Sequence, residues 1–119
     1  LDAIDTVSAK IALAAYADEH SIPLISSMGT GNKLHPELFR ISDLKDTSVC
    51  PLCRVMRKEL KTRGIQSLKV CWSPEKPLTP APAEEDTGSR RSTPGSISFV
   101  PPAAGLMIAG EIVRNICGL

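Results

Sequence analysis

The spacing of apolar positions changes period several times along this chain, and each change marks an element. Residues 1–5, Leu-Asp-Ala-Ile-Asp, read as a short strand that ends in a carboxylate. Directly behind it, Val7, Ile11, Leu13, Ala14 and Ala15 form a broad apolar stripe, predicting a helix from a Thr6 cap to about His20. Residues 21–26 read as a short buried strand with Pro23 at its entrance. Strand, helix and strand in this order make a right-handed crossover unit of a parallel sheet.

Farther along, residues 38–42 alternate as a half-exposed strand does, and residues 49–63 carry a helical pattern closed by Gly64. Residues 68–73 alternate again, and residues 97–100 predict one more short strand. Pro101-Pro102 then starts a last helix, where proline costs little in the first turn. Leu106, Ala109, Val113 and Ile116 share one of its faces, with Ile112 beside them, and predict the core side. Gly105 and Gly110 are expected to let this helix pack closely on a neighbour. Residues 74–95 hold half of the ten prolines together with Glu84-Glu85-Asp86 and Arg90-Arg91, which predicts a mobile crossover loop.

The 119 residues suit one small domain, and the 42% apolar fraction suffices for a core. With only 3% aromatics, that core must be built from Ile, Val, Leu, Ala and Met. A net charge of +1 carries no overall signal, so any basic surface must be local. One exists: Arg54, Arg57, Lys58 and Lys61 fall on a single face of the second predicted helix, a stripe suited to phosphates or simply to water. No apolar run approaches the ~20 residues of a membrane span, and no leader pattern is visible, so a cytoplasmic protein with free thiols is expected.

The candidate chemistry sits in short motifs. Gly29-Thr30-Gly31-Asn32 lacks the third glycine of a dinucleotide fingerprint and reads as a turn. Cys50-Pro51-Leu52-Cys53 has the spacing of a metal or redox pair. Three readings stay open, in this order: two buried or helix-start thiols, a zinc site, and a redox couple. Zinc needs four ligands, and Cys71 and Cys117 stand alone. At a helix start, Cys50 should have a lowered pKa. His20 and His35 have no partner at useful spacing.

Three stretches in this order resemble the ubiquitin-activating-enzyme-like superfamily of adenylating enzymes, the ThiF/MoeB/HesA group. They are residues 2–10 (DAIDTVSAK), 22–29 (IPLISSMG) and 46–57 (DTSVCPLCRVMR). The last is similar to the tRNA threonylcarbamoyladenosine dehydratase subgroup. The resemblance implies an α/β fold, the C-terminal half of a Rossmann-like adenylating domain with a mixed sheet. It implies that Asp5 stands near Mg²⁺ and the ATP phosphates. Asp2, three residues earlier, should point to the opposite face of the strand. Lys10 occupies a position where the family often has a basic residue, or is a solvated helix lysine. The family's glycine-rich phosphate loop precedes the strand at which this chain begins, so ATP and Mg²⁺ are expected to need the protein's own N-terminal nucleotide-binding half.

By the same resemblance the complete enzyme activates and cyclises threonylcarbamoyladenosine in tRNA, acts as a homodimer, and meets tRNA through Arg54, Arg57, Lys58 and Lys61. Two alternatives remain at this point. One is an activating enzyme for a small sulfur-carrier or ubiquitin-like protein, which would ask for a cysteine in the crossover loop or a full zinc quartet. The other is a non-catalytic RNA- or protein-binding module.

Overall fold

Val70 and Trp72 point to one face of a small sheet and Cys71 to the other, and different helices cover the two faces. The structure is a computed structural model in which residues 1–79, 81 and 94–119 are described; residues 80 and 82–93, most of the expected crossover loop, lie outside the described residues. The elements run α1 (Val7–Glu19), β1 (Ile25–Ser27), β2 (Arg40–Asp43), α2 (Pro51–Thr62), β3 (Lys69–Trp72) and α3 (Pro101–Cys117). The sheet order is β1-β3-β2, with β3 parallel to β1 and antiparallel to β2. This is the expected mixed sheet of an α/β fold.

One core lies between the sheet and the helices α1 and α2, where Ile11, Met28, Met56, Leu60, Val70 and Trp72 meet. The other lies under α3, where Ile25, Phe39, Cys71, Val100, Ala104 and Ile108 meet. Aliphatic side chains dominate both, but each also takes in one aromatic, Trp72 or Phe39, together with Cys50 and Cys53 in the first and Cys71 in the second, beyond the Ile, Val, Leu, Ala and Met expected.

Several elements differ from the sequence expectation. The opening strand shrinks to a single bridge from Asp2 to Ser26, where the Asp2 amide donates to Ile25 O (2.9 Å) and the Ser27 amide to Asp2 O (2.8 Å). β1 begins only at Ile25 because Ser21 closes α1 in a left-handed conformation (φ 52°). There the Ile22 amide returns to Ala17 O (2.8 Å) and the Ser21 amide to Asp18 O (3.3 Å). Thr6 occupies the N-cap position of α1, but its side chain makes no capping hydrogen bond. Residues 97–100 form a turn instead of a strand: Ile97 and Phe99 stay exposed while Val100 drops fully into the core beneath α3.

The end of α2 follows the sequence. Gly64 (φ 73°) takes the left-handed position, its amide reaching Lys61 O (3.1 Å) and the Ile65 amide reaching Leu60 O (3.0 Å).

For α3 the predicted face is the wrong one. Ala104 and Ile108 are buried, whereas Leu106, Val113 and Ile116 are exposed. The helix is apolar on nearly every side, so its period does not select a face. The buried line runs Val100, Ala104, Ile108 at four-residue spacing. Nor do its glycines mediate close packing: a Cβ on Gly105 would meet nothing, and one on Gly110 would meet only Arg114.

Candidate functional site

A cleft of about 560 Å³ opens where Asp5, the loop after β1, the start of α2 and residues 94–96 converge. The parallel bridge at Asp2 and the parallel pairing of β1 with β3 bring strand ends to this side, the usual place for ligands in such sheets. A slightly larger concavity of about 610 Å³ lies between α1, β1 and α3, where Ile22, Ile112 and Ile116 meet Asp18 and the Lys69–Glu111 ion pair.

The two N-terminal carboxylates have separate environments. Asp5 is exposed at the cleft. Asp2 is 1% exposed and accepts from the Ser26 hydroxyl (2.6 Å), the Ile4 amide (2.9 Å) and Lys10 Nζ (3.2 Å). Burial pushes the Asp2 carboxyl up, but the Ser26, Ile4 and Lys10 donors outweigh it and hold the pKa below the usual carboxylate value. Lys10 is not a solvated helix lysine: it is 3% exposed and also donates to Ser27 O (2.7 Å) and Ser26 Oγ (3.3 Å). It ties α1 to the end of β1, leaving Asp5 as the unburied carboxylate of the two.

The loop after β1 is a turn. Asn32 (φ 57°) fastens it to both flanks of the crossover segment. Its amide donates to Gly95 O (2.8 Å), its side-chain Oδ1 accepts from the Gly95 amide (2.8 Å), and its carbonyl accepts from the Leu78 amide (2.8 Å). A Cβ on Gly31 would come within 3.1 Å of Pro94 Cβ, so that glycine is needed for the approach of the chain. Close by, Glu75 accepts from the Leu34 and His35 amides (2.9 and 3.1 Å) and from His35 Nδ1 (3.0 Å). His35 therefore has a partner 40 residues away in sequence, beyond any local pattern.

Cys50 is the N-cap residue of α2 and Cys53 lies in its first turn, both buried. A hydrogen bond from the Cys53 thiol, with the Cys53 and Gly29 amides and the Lys33 charge, overcomes burial and lowers the Cys50 pKa. The same contact, with burial, raises that of Cys53. Cys71, on the α3 side of the sheet, is pushed up to about 11 by burial, and Cys117 is exposed. The four cysteines are thus divided between different places. Among the described residues, no group of three or more His, Cys, Asp or Glu side chains can hold a metal ion, and the zinc reading of Cys50 and Cys53 is withdrawn. Lys33, 4% exposed, was missed by sequence reasoning because a lysine behind a glycine turn looks solvated.

The basic stripe of α2 divides as well. Arg54, Lys58 and Lys61 are exposed opposite the buried Cys53, Met56 and Leu60. Arg57 is half-buried and donates from Nη1 to Thr47 O (3.0 Å) and to Thr47 Oγ1. Thr47 Oγ1 in turn donates to Leu44 O (2.6 Å). Arg57 thereby anchors the segment leading into α2.

No family model matches the sequence. The chain is 34% identical over 125 residues to the tRNA threonylcarbamoyladenosine dehydratase of Bacillus subtilis (strain 168), a match covering 98% of this chain and 49% of that protein. This chain is a homologue of the tRNA threonylcarbamoyladenosine dehydratases. It spans about half the length of that dehydratase and less of others it matches, such as tRNA threonylcarbamoyladenosine dehydratase 2 of Saccharomyces cerevisiae (strain ATCC 204508 / S288c; 42% identity over 92 residues, covering 71% of this chain and 21% of that protein). The fold agrees: a solved dehydratase structure described as TcdA (CsdL) superposes with a TM-score of 0.83 at 25% identity, over 98% of this chain and 48% of that one. The dehydratase fold therefore accounts for the mixed sheet and for its two helical layers.

Proposed function

We propose that this chain is part of an ATP-dependent tRNA-modifying enzyme that activates the carboxylate of threonylcarbamoyladenosine and closes it into a ring. The observation that carries this reading is the strand-end cleft with Asp5 exposed on it, in a homologue of dehydratases of which the Escherichia coli member, TcdA, is solved in complex with ATP. A carboxylate is the hard oxygen ligand that magnesium prefers, so Asp5 fits a magnesium–nucleotide complex. Bound magnesium would supply positive charge that makes the α-phosphorus more electrophilic.

In this reading Asp5 holds the metal–phosphate complex, while Asp2 and Lys10 fix the strand end that carries Asp5. The remainder of the nucleotide site comes from an N-terminal half outside this chain, so the isolated chain does not turn over ATP. Arg54, Lys58 and Lys61 meet the tRNA backbone, with the steep salt dependence of phosphate contacts. The enzyme works in the cytoplasm as a homodimer, to which the exposed Leu106, Val113 and Ile116 of α3 are available.

The test is Asp5→Asn in the full-length protein, followed by AMP release with tRNA bearing threonylcarbamoyladenosine. A fall on the order of 10²-fold or more is expected, with tRNA affinity unchanged. Unaltered turnover would remove Asp5 from the site. Absence of any tRNA-dependent AMP release from the wild type would overturn the reading as a whole.

A further inference from the structure

We propose that Cys50 and Cys53 form a reversible disulfide, a thiol-modification site in the cleft wall that exchanges with low-molecular-weight disulfides of the glutathione class. The inference stands apart from the reading of the cleft as a nucleotide site and holds whichever substrate the cleft serves.

Geometry comes first. Cys50 caps α2 and Cys53 follows one helical turn later, which places their Cα atoms about 5 Å apart. That lies within the ~4.4–6.8 Å that disulfides span. Cys50 lines the cleft at 1% exposure and Cys53 stands behind it at 0%, so exchange takes place as the cleft wall opens locally. Val49, immediately before the pair, adopts φ 64°, a conformation that β-branched residues avoid. The fold tolerates a strained residue at the point that aims Cys50 across the start of α2.

Charge completes the argument. Lys33 is buried beside Cys50, donates to Gly31 O at 3.5 Å, and is paired with no carboxylate among the described residues. A buried ammonium without a counter-charge is costly, and a Cys50 thiolate supplies one. The amides of Gly29 and Cys53 also favour the anion. Cys71 shows the contrast: with burial and no such donors, its thiol is held protonated.

The reaction balances in two exchanges. The Cys50 thiolate attacks one sulfur of the external disulfide, breaking its S–S bond and releasing one thiolate, and Cys50 becomes a mixed disulfide. With the negative charge on Cys50 gone, Cys53 loses its proton to water more easily. Its thiolate then attacks Cys50 Sγ, forming the internal S–S bond and expelling the second small thiol. The protein pair is oxidised by two electrons and the external disulfide is reduced by two. Closure neutralises Cys50 and leaves Lys33 as an uncompensated cation in the cleft wall.

The experiment uses the full-length protein carrying Cys117→Ser, which removes the exposed competitor. The native protein is incubated with oxidised glutathione, quenched in acid and digested with trypsin, which places both cysteines in one peptide, residues 46–54. We expect that peptide to lose two hydrogens and to regain them with dithiothreitol. Cys53→Ser should instead trap glutathione on Cys50, and Lys33→Met should slow the exchange several-fold at neutral pH. A peptide that stays fully reduced under conditions that glutathionylate Cys117 in the wild type overturns the proposal. So does a glutathione adduct trapped on Cys53 instead of Cys50.

Discussion

Lys10 Nζ lies 3.2 Å from Asp2 Oδ2, and of the ion pairs among the described residues this one is the most completely withdrawn from water. The pair joins α1 to the bridge at the edge of β1, directly behind the cleft. Removing one partner leaves the other charge buried alone, at a cost of about 3–5 kcal/mol. Asp2→Asn and Lys10→Met should each lower stability by that order in urea unfolding. The double variant should lose clearly less than the sum, because no orphaned charge remains. Since the folded-state pKa of Asp2 is depressed, its contribution is complete above the usual carboxylate value and fades as pH falls through the lowered one. Acid titration of the wild type against Asp2→Asn checks that window.

Val49 offers a gain of stability. Its left-handed backbone costs a β-branched residue on the order of 1–2 kcal/mol, which glycine avoids at some cost in unfolded-state entropy. Val49→Gly should therefore raise stability by up to about 1 kcal/mol in urea unfolding. A loss would mean that the half-exposed Val49 side chain packs more than its exposure suggests.

Arg57 and its neighbours on α2 should separate by assay. Arg57→Ala removes the clasp on Thr47 and should cost about 1–2 kcal/mol of stability. Arg54→Ala, Lys58→Ala and Lys61→Ala should leave stability within about 0.5 kcal/mol. Under the proposed function, each should also weaken tRNA binding and flatten its salt dependence, as a filter-binding series across salt concentrations would reveal.

The His35–Glu75 contact should respond to pH from both ends. The Glu75 hydrogen bond, with the Glu75 and Glu37 charges, outweighs slight burial and raises the His35 pKa. Burial pushes Glu75 up, but the Leu34 and His35 contacts win and hold it low. The His35 contribution is complete below the ordinary imidazole value and is lost as pH rises through the raised one. The Glu75 contribution is complete above the ordinary carboxylate value and is lost as pH falls through the lowered one. An NMR titration of the His35 ring should show a midpoint above the usual imidazole range, and Glu75→Gln should bring it back.

Local chemistry was legible wherever a residue acts on its own turn of chain. Gly64 as the stop of α2 and Pro101 opening α3 follow from backbone preference, whereas the alternation expected over residues 68–73 fails because β3 is the central strand and Val70, Cys71 and Trp72 are all buried. The sequence also places Asp5 and Lys10 three and eight residues from Asp2, enough to mark the region but not to say which side chain faces water. Lys10 looks like any helix lysine until Asp2 and Ser26, the latter 16 residues on, close around it.

What the chain announces along its length is the three helices and the strands β1, β2 and β3, the mixed α/β class, and the motifs that relate it to the dehydratases, because these depend on neighbours within a few residues. Folding alone settled which face of α3 is buried, that residues 97–100 turn, that Arg57 is tied to Thr47, and that Lys33 stands beside Cys50. Burial and ion pairing are properties of residues that meet only after distant segments pack. An apolar helix or a lone lysine is indifferent in sequence and acquires its role from what the fold puts against it.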